Sequence, residues 1–335
     1  MSDSHSTKKN IMIIAGAALL LLVCVCLGLA FGSVRVSLAD FVKDTINSRT
    51  DSAVYRIIRY VRLPRVVAAM LSGMALAVSG VIIQAVLNNS LAAPNIIGVN
   101  AGAGFMTLLI MGAFPGLYRL APAASVIGAL LTSIFIFTLA ARTGASRITI
   151  TLAGIAVSSL LTAGMNTIKT FFPDTMYNAN AFLIGGFSGV SFQNIGFSWI
   201  PIIFGILVAF ILAKDIDVLM LGENTAKSLG MNVTLLRFVL LVIASLLAGC
   251  AVSFSGLLGF VGLIVPHMVR ILVGNSHRLV IPVSVLGGGS FVLICDIISR
   301  TAFAPYEIPV GIILSLLGAP FFLFLILRRK RGALR

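Results

Sequence analysis

From Asn10 to Phe31 the chain runs without a single charged side chain, and nine further apolar stretches follow it. No other feature restricts the fold as strongly. Inside a bilayer every backbone N–H and C=O must find its partner within the protein, which leaves helices or a closed barrel. Unbroken apolar runs of about 20 residues specify helices. Composition agrees. Hydrophobic residues make up 59% of the chain and charged residues 10%, with a mean hydropathy of +1.10, too little polar surface for a water-soluble domain of 335 residues. A cleaved signal peptide would also explain the first run, with Ala30-Phe31-Gly32 as a loose cleavage site. The run is long for a signal core and reads as a retained span.

Ten spans are expected near 11–31, 64–86, 95–113, 121–141, 148–169, 197–213, 233–255, 257–274, 280–299 and 309–327. An even number puts both termini on one side. Lys8 and Lys9 at the start, with Arg328, Arg329, Lys330, Arg331 and Arg335 at the end, mark that side as the cytoplasm. The net charge of +14 is spread over loops between spans, so it reports membrane topology and does not define a nucleic-acid-binding domain. The inner loops carry Arg142 and Arg147, then Lys214 and Lys227, then Arg278. One outer loop breaks the rule: residues 32–63 hold Arg35, Lys43, Arg49, Arg56, Arg59 and Arg62, and Arg65 follows just inside the next span. Two readings stay open, a basic rim that receives an acidic protein partner and a tolerated exception after a first span that already fixes orientation.

Leu71-Ser-Gly-Met-Ala-Leu-Ala-Val-Ser-Gly80 in the second span matches Leu247-Ala-Gly-Cys-Ala-Val-Ser-Phe-Ser-Gly256 in the seventh. The copies lie five spans apart, and an odd offset reverses the direction of crossing. The expected fold is therefore an all-α polytopic membrane protein of about ten transmembrane helices, one domain over 1–335, in two inverted-topology halves. Gly73, Ala77 and Gly80, and the run Gly287-Gly288-Gly289, are the small residues that let membrane helices approach closely. Cys24, Cys26, Cys250 and Cys295 all fall within spans and read as small buried hydrophobes.

The longest polar interruption after the first loop is Lys214–Val233. Gly222 can cap a short helix there, Glu223 sits in its first turn with Lys227 four residues on, and Gly230 stands at a C-terminal stop. Leu219, Leu221, Ala226 and Leu229 give it an apolar side. A helix that docks another protein and a solvated loop are both compatible with that pattern. Elsewhere the chain has no phosphate loop, no metal-ligand cluster and no nucleophile elbow. Carboxylates are also sparse in the spans, so an energy source on another chain is expected. His267 beside Pro266 reads as structural. In the fifth span Ser158, Thr162 and Asn166 share a helical face, either lining a polar path or back-bonding to their own helix.

Several motifs in order carry a resemblance. Arg62-Leu-Pro-Arg65, Gly73-x-Ala-Leu-Ala-x-Ser-Gly80, Gln84, Asn89-Ser-Leu-Ala-x-Pro94 and Gly98 resemble the permeases of the iron-siderophore and vitamin B12 ABC importers. So do Gly222-x-x-x-Ala226-x-x-Leu229-Gly230, Gly259-Phe-Val-Gly-Leu-Ile-Val-Pro-His-x-x-Arg270, Glu307-Ile-Pro-Val-Gly311 and Leu317-Gly-Ala-Pro-x-Phe322. The resemblance implies a multi-pass permease of the bacterial cytoplasmic membrane, two per complex, identical or paralogous. It implies two cytoplasmic ATPases, which hold the ATP and magnesium, and an extracytoplasmic binding protein that delivers a ferric chelate. It places Gly222, Ala226, Leu229 and Gly230 in the coupling helix, with Glu223 and Lys227 between them. Arg62, Arg65 and Arg300 match outward arginines that receive the binding protein, and Asn89 and Leu91 match an inner gate. Ser90 departs from the family, which usually has Pro there. The resemblance implies no cofactor or metal bound by this chain and no enzymatic activity of its own. Haem or cobalamin is the alternative cargo, and an ion-coupled carrier is the alternative class.

Overall fold

The computed structural model describes residues 2–32, 36–47, 49–142, 147–196 and 198–332, and among them it is helical without strands. Helix α1 (Ser2–Ala30) leads to two short helices, α2 (Leu38–Ile46) and α3 (Ala53–Arg56). A π-helical turn, Ile57–Arg62, joins α3 to α4 (Leu63–Val86). Helices α5 (Val99–Ala113), α6 (Ala121–Ala141) and α7 (Arg147–Phe171) complete the first half. Two short helices follow, α8 (Met176–Ile184) and α9 (Phe192–Ile195). The second half consists of α10 (Trp199–Ile211), α11 (Ala213–Met220), α12 (Glu223–Ser228), α13 (Val233–Ser255), α14 (Val261–Val273), α15 (His277–Thr301) and α16 (Val310–Gly332).

Among the described residues six helices are long and apolar enough to cross a bilayer, and four shorter apolar ones accompany them. Each expected span finds one of these ten. The shorter ones need help, because the 15 residues of α5 rise only about 22 Å against a hydrocarbon core of about 30 Å. A 3₁₀ turn, Pro94–Ile97, extends α5 at its start, and α11 continues α10.

Side-chain contacts sort the helix ends into two groups. The end of α1, the start of α4 and the end of α15 meet around Arg62, Arg65 and Arg300. The end of α4, α11, the end of α14 and the start of α15 gather at the other extreme, around Gln84, Asp217, Arg270 and His277. Helices α1 and α4 therefore run in opposite directions, as do α14 and α15.

Helix α4 is the centre of the packing, with nearly every residue from Pro64 to Val86 buried. Its stripe of small residues explains why. A Cβ at Gly73 would collide with the Gly288 carbonyl of α15, and one at Gly288 would collide with Gly73 in turn, so the two backbones touch. The corresponding residue of the second copy, Gly249 on α13, faces α6, where an added Cβ would stand 2.8 Å from Ala129 Cβ. Thus α4 packs on α15 as α13 packs on α6. The next helix in each half also starts alike, from a left-handed residue, Gly98 before α5 and Phe260 before α14. The matched segments make matched crossings, as two inverted halves require.

The basic loop that the sequence describes only by its charge is folded. Ser37 caps α2, accepting from the Asp40 N–H at 3.3 Å. Ser52 caps α3, accepting from the Tyr55 N–H at 3.0 Å, and its hydroxyl donates to Asp44 Oδ2 at 2.6 Å. Phe41 stacks on Tyr55. Arg35 of that loop and Arg335 at the C-terminus lie outside the described residues.

Candidate functional site

Three regions collect the residues singled out by the sequence. At the first end, Arg65 on α4 donates from Nε to Asp296 Oδ1 at 3.0 Å and from Nη1 to Glu307 Oε2 at 2.7 Å. Arg300 Nε lies 3.0 Å from the other Asp296 oxygen, and its Nη2 donates to the Gly28 carbonyl at 3.2 Å. Arg62 Nη1 donates to the carbonyls of Leu29 and Ala30, both at 2.7 Å, so it closes the C-terminal end of α1. The three arginines that the resemblance places on the outer side meet at one end of the bundle, with their side chains turned into it. Arg62, Arg65 and Arg300 are only 4%, 7% and 3% exposed. Guanidiniums in a low-dielectric interior need carboxylates or carbonyls, and α15, the segment before α16 and the C-terminal end of α1 supply them. Glu307, 32% exposed, is the edge of this cluster that solvent reaches. Arg56 and Arg59 stay at the periphery, the first paired with Asp51 at 2.9 Å and the second over the Phe192 ring.

At the opposite end, residues 214–232 form two helices where the sequence suggests one. Helix α11 ends at Met220, Gly222 turns the chain with φ of 110°, and α12 begins at Glu223. Gly230 closes α12 with φ of 81°. Its N–H bonds the Lys227 carbonyl at 2.9 Å, and the Met231 N–H bonds the Ala226 carbonyl at 3.1 Å, the paired bonds of a Schellman stop. Glu223 anchors the stub, with one oxygen 2.8 Å from Lys227 Nζ and the other accepting from Arg237 Nη1 of α13 at 3.0 Å. The hydrogen bond from Lys227, with the charge of Arg237 beside it, holds the Glu223 carboxyl below its ordinary range. The expected single apolar side is divided. Leu219 and Ala226 are buried against the protein, while Leu221 and Leu229, 64% and 65% exposed, point away from it. The stub thus presents two bare leucines to its surroundings.

Beside α11 lies a polar cavity of about 850 Å³ lined by residues that include Gln84, Asn88, Asn89, Ser90, Asp217 and Arg270. Gln84 accepts a hydrogen bond from Arg270 Nη1 and donates to the Gly262 carbonyl at 3.3 Å, tying α4 to α14. Asn89 accepts from the Leu91 N–H at 3.0 Å through its side chain and from the Ala92 N–H at 3.0 Å through its carbonyl. Ser90 occupies the corner of that turn.

The third region is a groove of about 590 Å³ along α7, where Asn95, Ile155, Ser158, Ser159, Thr162 and Asn166 meet. Hydroxyls on this face bond back to their own helix. The Thr162 hydroxyl donates to the Ser158 carbonyl at 2.7 Å and that of Ser159 to Ile155 at 2.9 Å, yet both residues still line the groove. Asn95 also lines an adjoining cavity of about 570 Å³ that reaches Asn100, Phe260 and Ser315. His267 stacks edge-on against Phe321, a packing contact. Among the described residues no three His, Cys, Asp or Glu side chains lie together as a metal site, and the four cysteines are free thiols.

A helical bundle with pseudo-repeated halves, an ion-paired cluster at one end and an exposed stub at the other is the architecture of a polytopic membrane protein. The comparisons carry this further. The FecCD transport family matches residues 20–328, and the chain belongs to that family. It is 36% identical over 98% of its length to the iron(3+)-hydroxamate import system permease protein FhuB of Bacillus subtilis, covering 86% of that protein. It is 35% identical over 94% of its length to the hemin transport system permease protein HmuU of Yersinia pestis, covering 95% of it. A solved metal-chelate type ABC transporter in an inward-facing conformation is similar in structure, with a TM-score of 0.83, 28% identity, and coverage of 95% of this chain and 99% of that one.

Proposed function

We propose that this chain is the permease of a bacterial ABC importer that carries a ferric siderophore across the cytoplasmic membrane. The Gln84 end and both termini face the cytoplasm, in keeping with Lys8, Lys9 and the basic C-terminal run. The observation that carries the reading is the exposed pair Leu221 and Leu229 on a stub braced by Glu223 and Arg237. Such a surface suits a cytoplasmic ATPase dimer that binds the ATP and magnesium, while this chain hydrolyses nothing. Gly222, Glu223, Ala226, Lys227, Leu229 and Gly230 form the coupling element.

On the outer side an extracytoplasmic binding protein delivers the chelate. Arg62, Arg65 and Arg300 brace the platform on which its acidic residues land, and the exposed Arg56 and Arg59 beside them supply the contact. The groove at Ser158, Thr162 and Asn166 lies on the face that a second permease, identical or paralogous, would cover. The turn at Asn89 and Leu91 closes the path at its inner end. The chain binds no nucleic acid, and its surroundings are otherwise lipid.

Uptake by cells lacking and then regaining this chain tests the proposal, using labelled ferric hydroxamate, ferric citrate, haem and cobalamin. Restored uptake of a ferric siderophore is expected. Restored uptake of haem or cobalamin alone would replace the cargo and keep the machine, and restoration of none would overturn the reading.

A further inference from the structure

Helix α15 begins at His277, and no side chain of its own N-cap, Ser276, bonds to it. The first turn of a helix carries N–H groups without intrahelical acceptors. Asp217, on α11 and 60 residues away in sequence, supplies one. Its Oδ1 accepts from the His277 backbone N–H at 3.0 Å and lies 2.5 Å from His277 Nδ1. A carboxylate at this place also meets the positive end of the α15 dipole. His277 is fully buried, while the Asp217 side chain is 36% exposed and lines the cavity beside α11, so the contact forms part of the cavity wall.

The two elements joined here are the ones that a coupled machine has to connect. Helix α11 runs through Gly222 into α12. Helix α15 spans 25 residues, about 37 Å. Near its far end Asp296 and Arg300 hold it to Arg65 and to the Gly28 carbonyl. The rest of the α11 anchorage is apolar, with Ile216 and Leu219 buried, and apolar contacts permit sliding. A carboxylate gripping both a backbone N–H and a ring nitrogen does not.

We infer that the Asp217–His277 contact is the joint through which the docking segment drives α15, making Asp217 a positioning residue for coupling. This rests on the proposed role of α12. Neither residue belongs to the motifs that carry the family resemblance.

The test is the amount of chelate imported per ATP hydrolysed by the permease purified with its ATPase and reconstituted in vesicles. The cargo is whichever of the four labelled chelates the wild type imports. Asp217→Ala is expected to lower the ratio about tenfold or more while ATP hydrolysis continues. Asp217→Asn keeps an oxygen for the backbone N–H and should restore most of it. Asp215→Ala, a charge removed from the same helix, should leave it at the wild-type value. His277→Phe keeps the backbone bond and deletes the ring bond, so a loss of about threefold is expected, and it decides the matter if the alanine variant fails to insert. A wild-type ratio in Asp217→Ala, or in His277→Phe where that variant decides, overturns the joint and leaves the permease reading standing. Failure of the wild type to import any of the four in the presence of ATP overturns the permease reading itself.

Discussion

Asp296 lies between two guanidiniums with no exposed surface, and its loss should be felt more than that of any surface acid. Removing one member of a buried ion pair leaves uncompensated charge and typically costs about 3–5 kcal/mol. Asp296→Ala should therefore lower the thermal unfolding temperature in detergent markedly. Asp51→Ala, at the exposed pair with Arg56, should produce no measurable shift. Equal effects would mean that the cluster around Arg65 does not hold α4 and α15 together. Glu223 carries a pH dependence of definite sign. Its folded carboxyl titrates below the ordinary value because Lys227 bonds it and Arg237 lies beside it. The stabilisation is then complete above the unfolded carboxylate value of about 4.3 and is lost as pH falls through the lower folded one. Protection of the amides of residues 223–230, measured relative to the intrinsic exchange rate at each pH, should fall in that acid window, whereas in Glu223→Gln it should be the same above and below it.

At the scale of elements, α12 depends on a stop that only one residue type makes easily. A β-branched side chain at Gly230 would have to adopt a φ of 81°, which L residues avoid. Gly230→Val should disorder the stub, cut chelate uptake at least tenfold and leave membrane insertion normal. Unchanged uptake would remove α12 from the coupling element. Ser90 offers the opposite kind of change. It is the corner of a turn closed by the Asn89 side chain and carbonyl, a place suited to Pro. Ser90→Pro should stabilise by about 0.4–1 kcal/mol, read by thermal unfolding, through lost freedom of the unfolded chain.

The long elements were legible in the sequence because their signal is local. The expected spans 121–141 and 233–255 coincide with α6 and α13, and the match between Leu71–Gly80 and Leu247–Gly256 anticipated the equivalent crossings at Gly73 and Gly249. Short helices escaped. Helix α2 is hidden within a loop whose strongest signal is its charge, although Ser37 and Asp40 spell a cap, and α8 and α9 are too brief to stand out. Burial of Arg65 could not be read either, since its carboxylates lie 231 and 242 residues further along.

For the whole molecule, two polar ends are joined through a small-residue interior in which α4 and α15 touch backbone to backbone. Packing of that kind favours motion of helices as units over local deformation. Under the proposed function, motion is imposed from outside and enters through the exposed stub at α12. The most direct check is chelate accumulation in sealed vesicles containing this chain, with and without a cytoplasmic ABC ATPase produced and purified together with it. Accumulation that requires both the ATPase and ATP is the predicted result. Accumulation by the chain alone, driven by an ion gradient, would contradict the account.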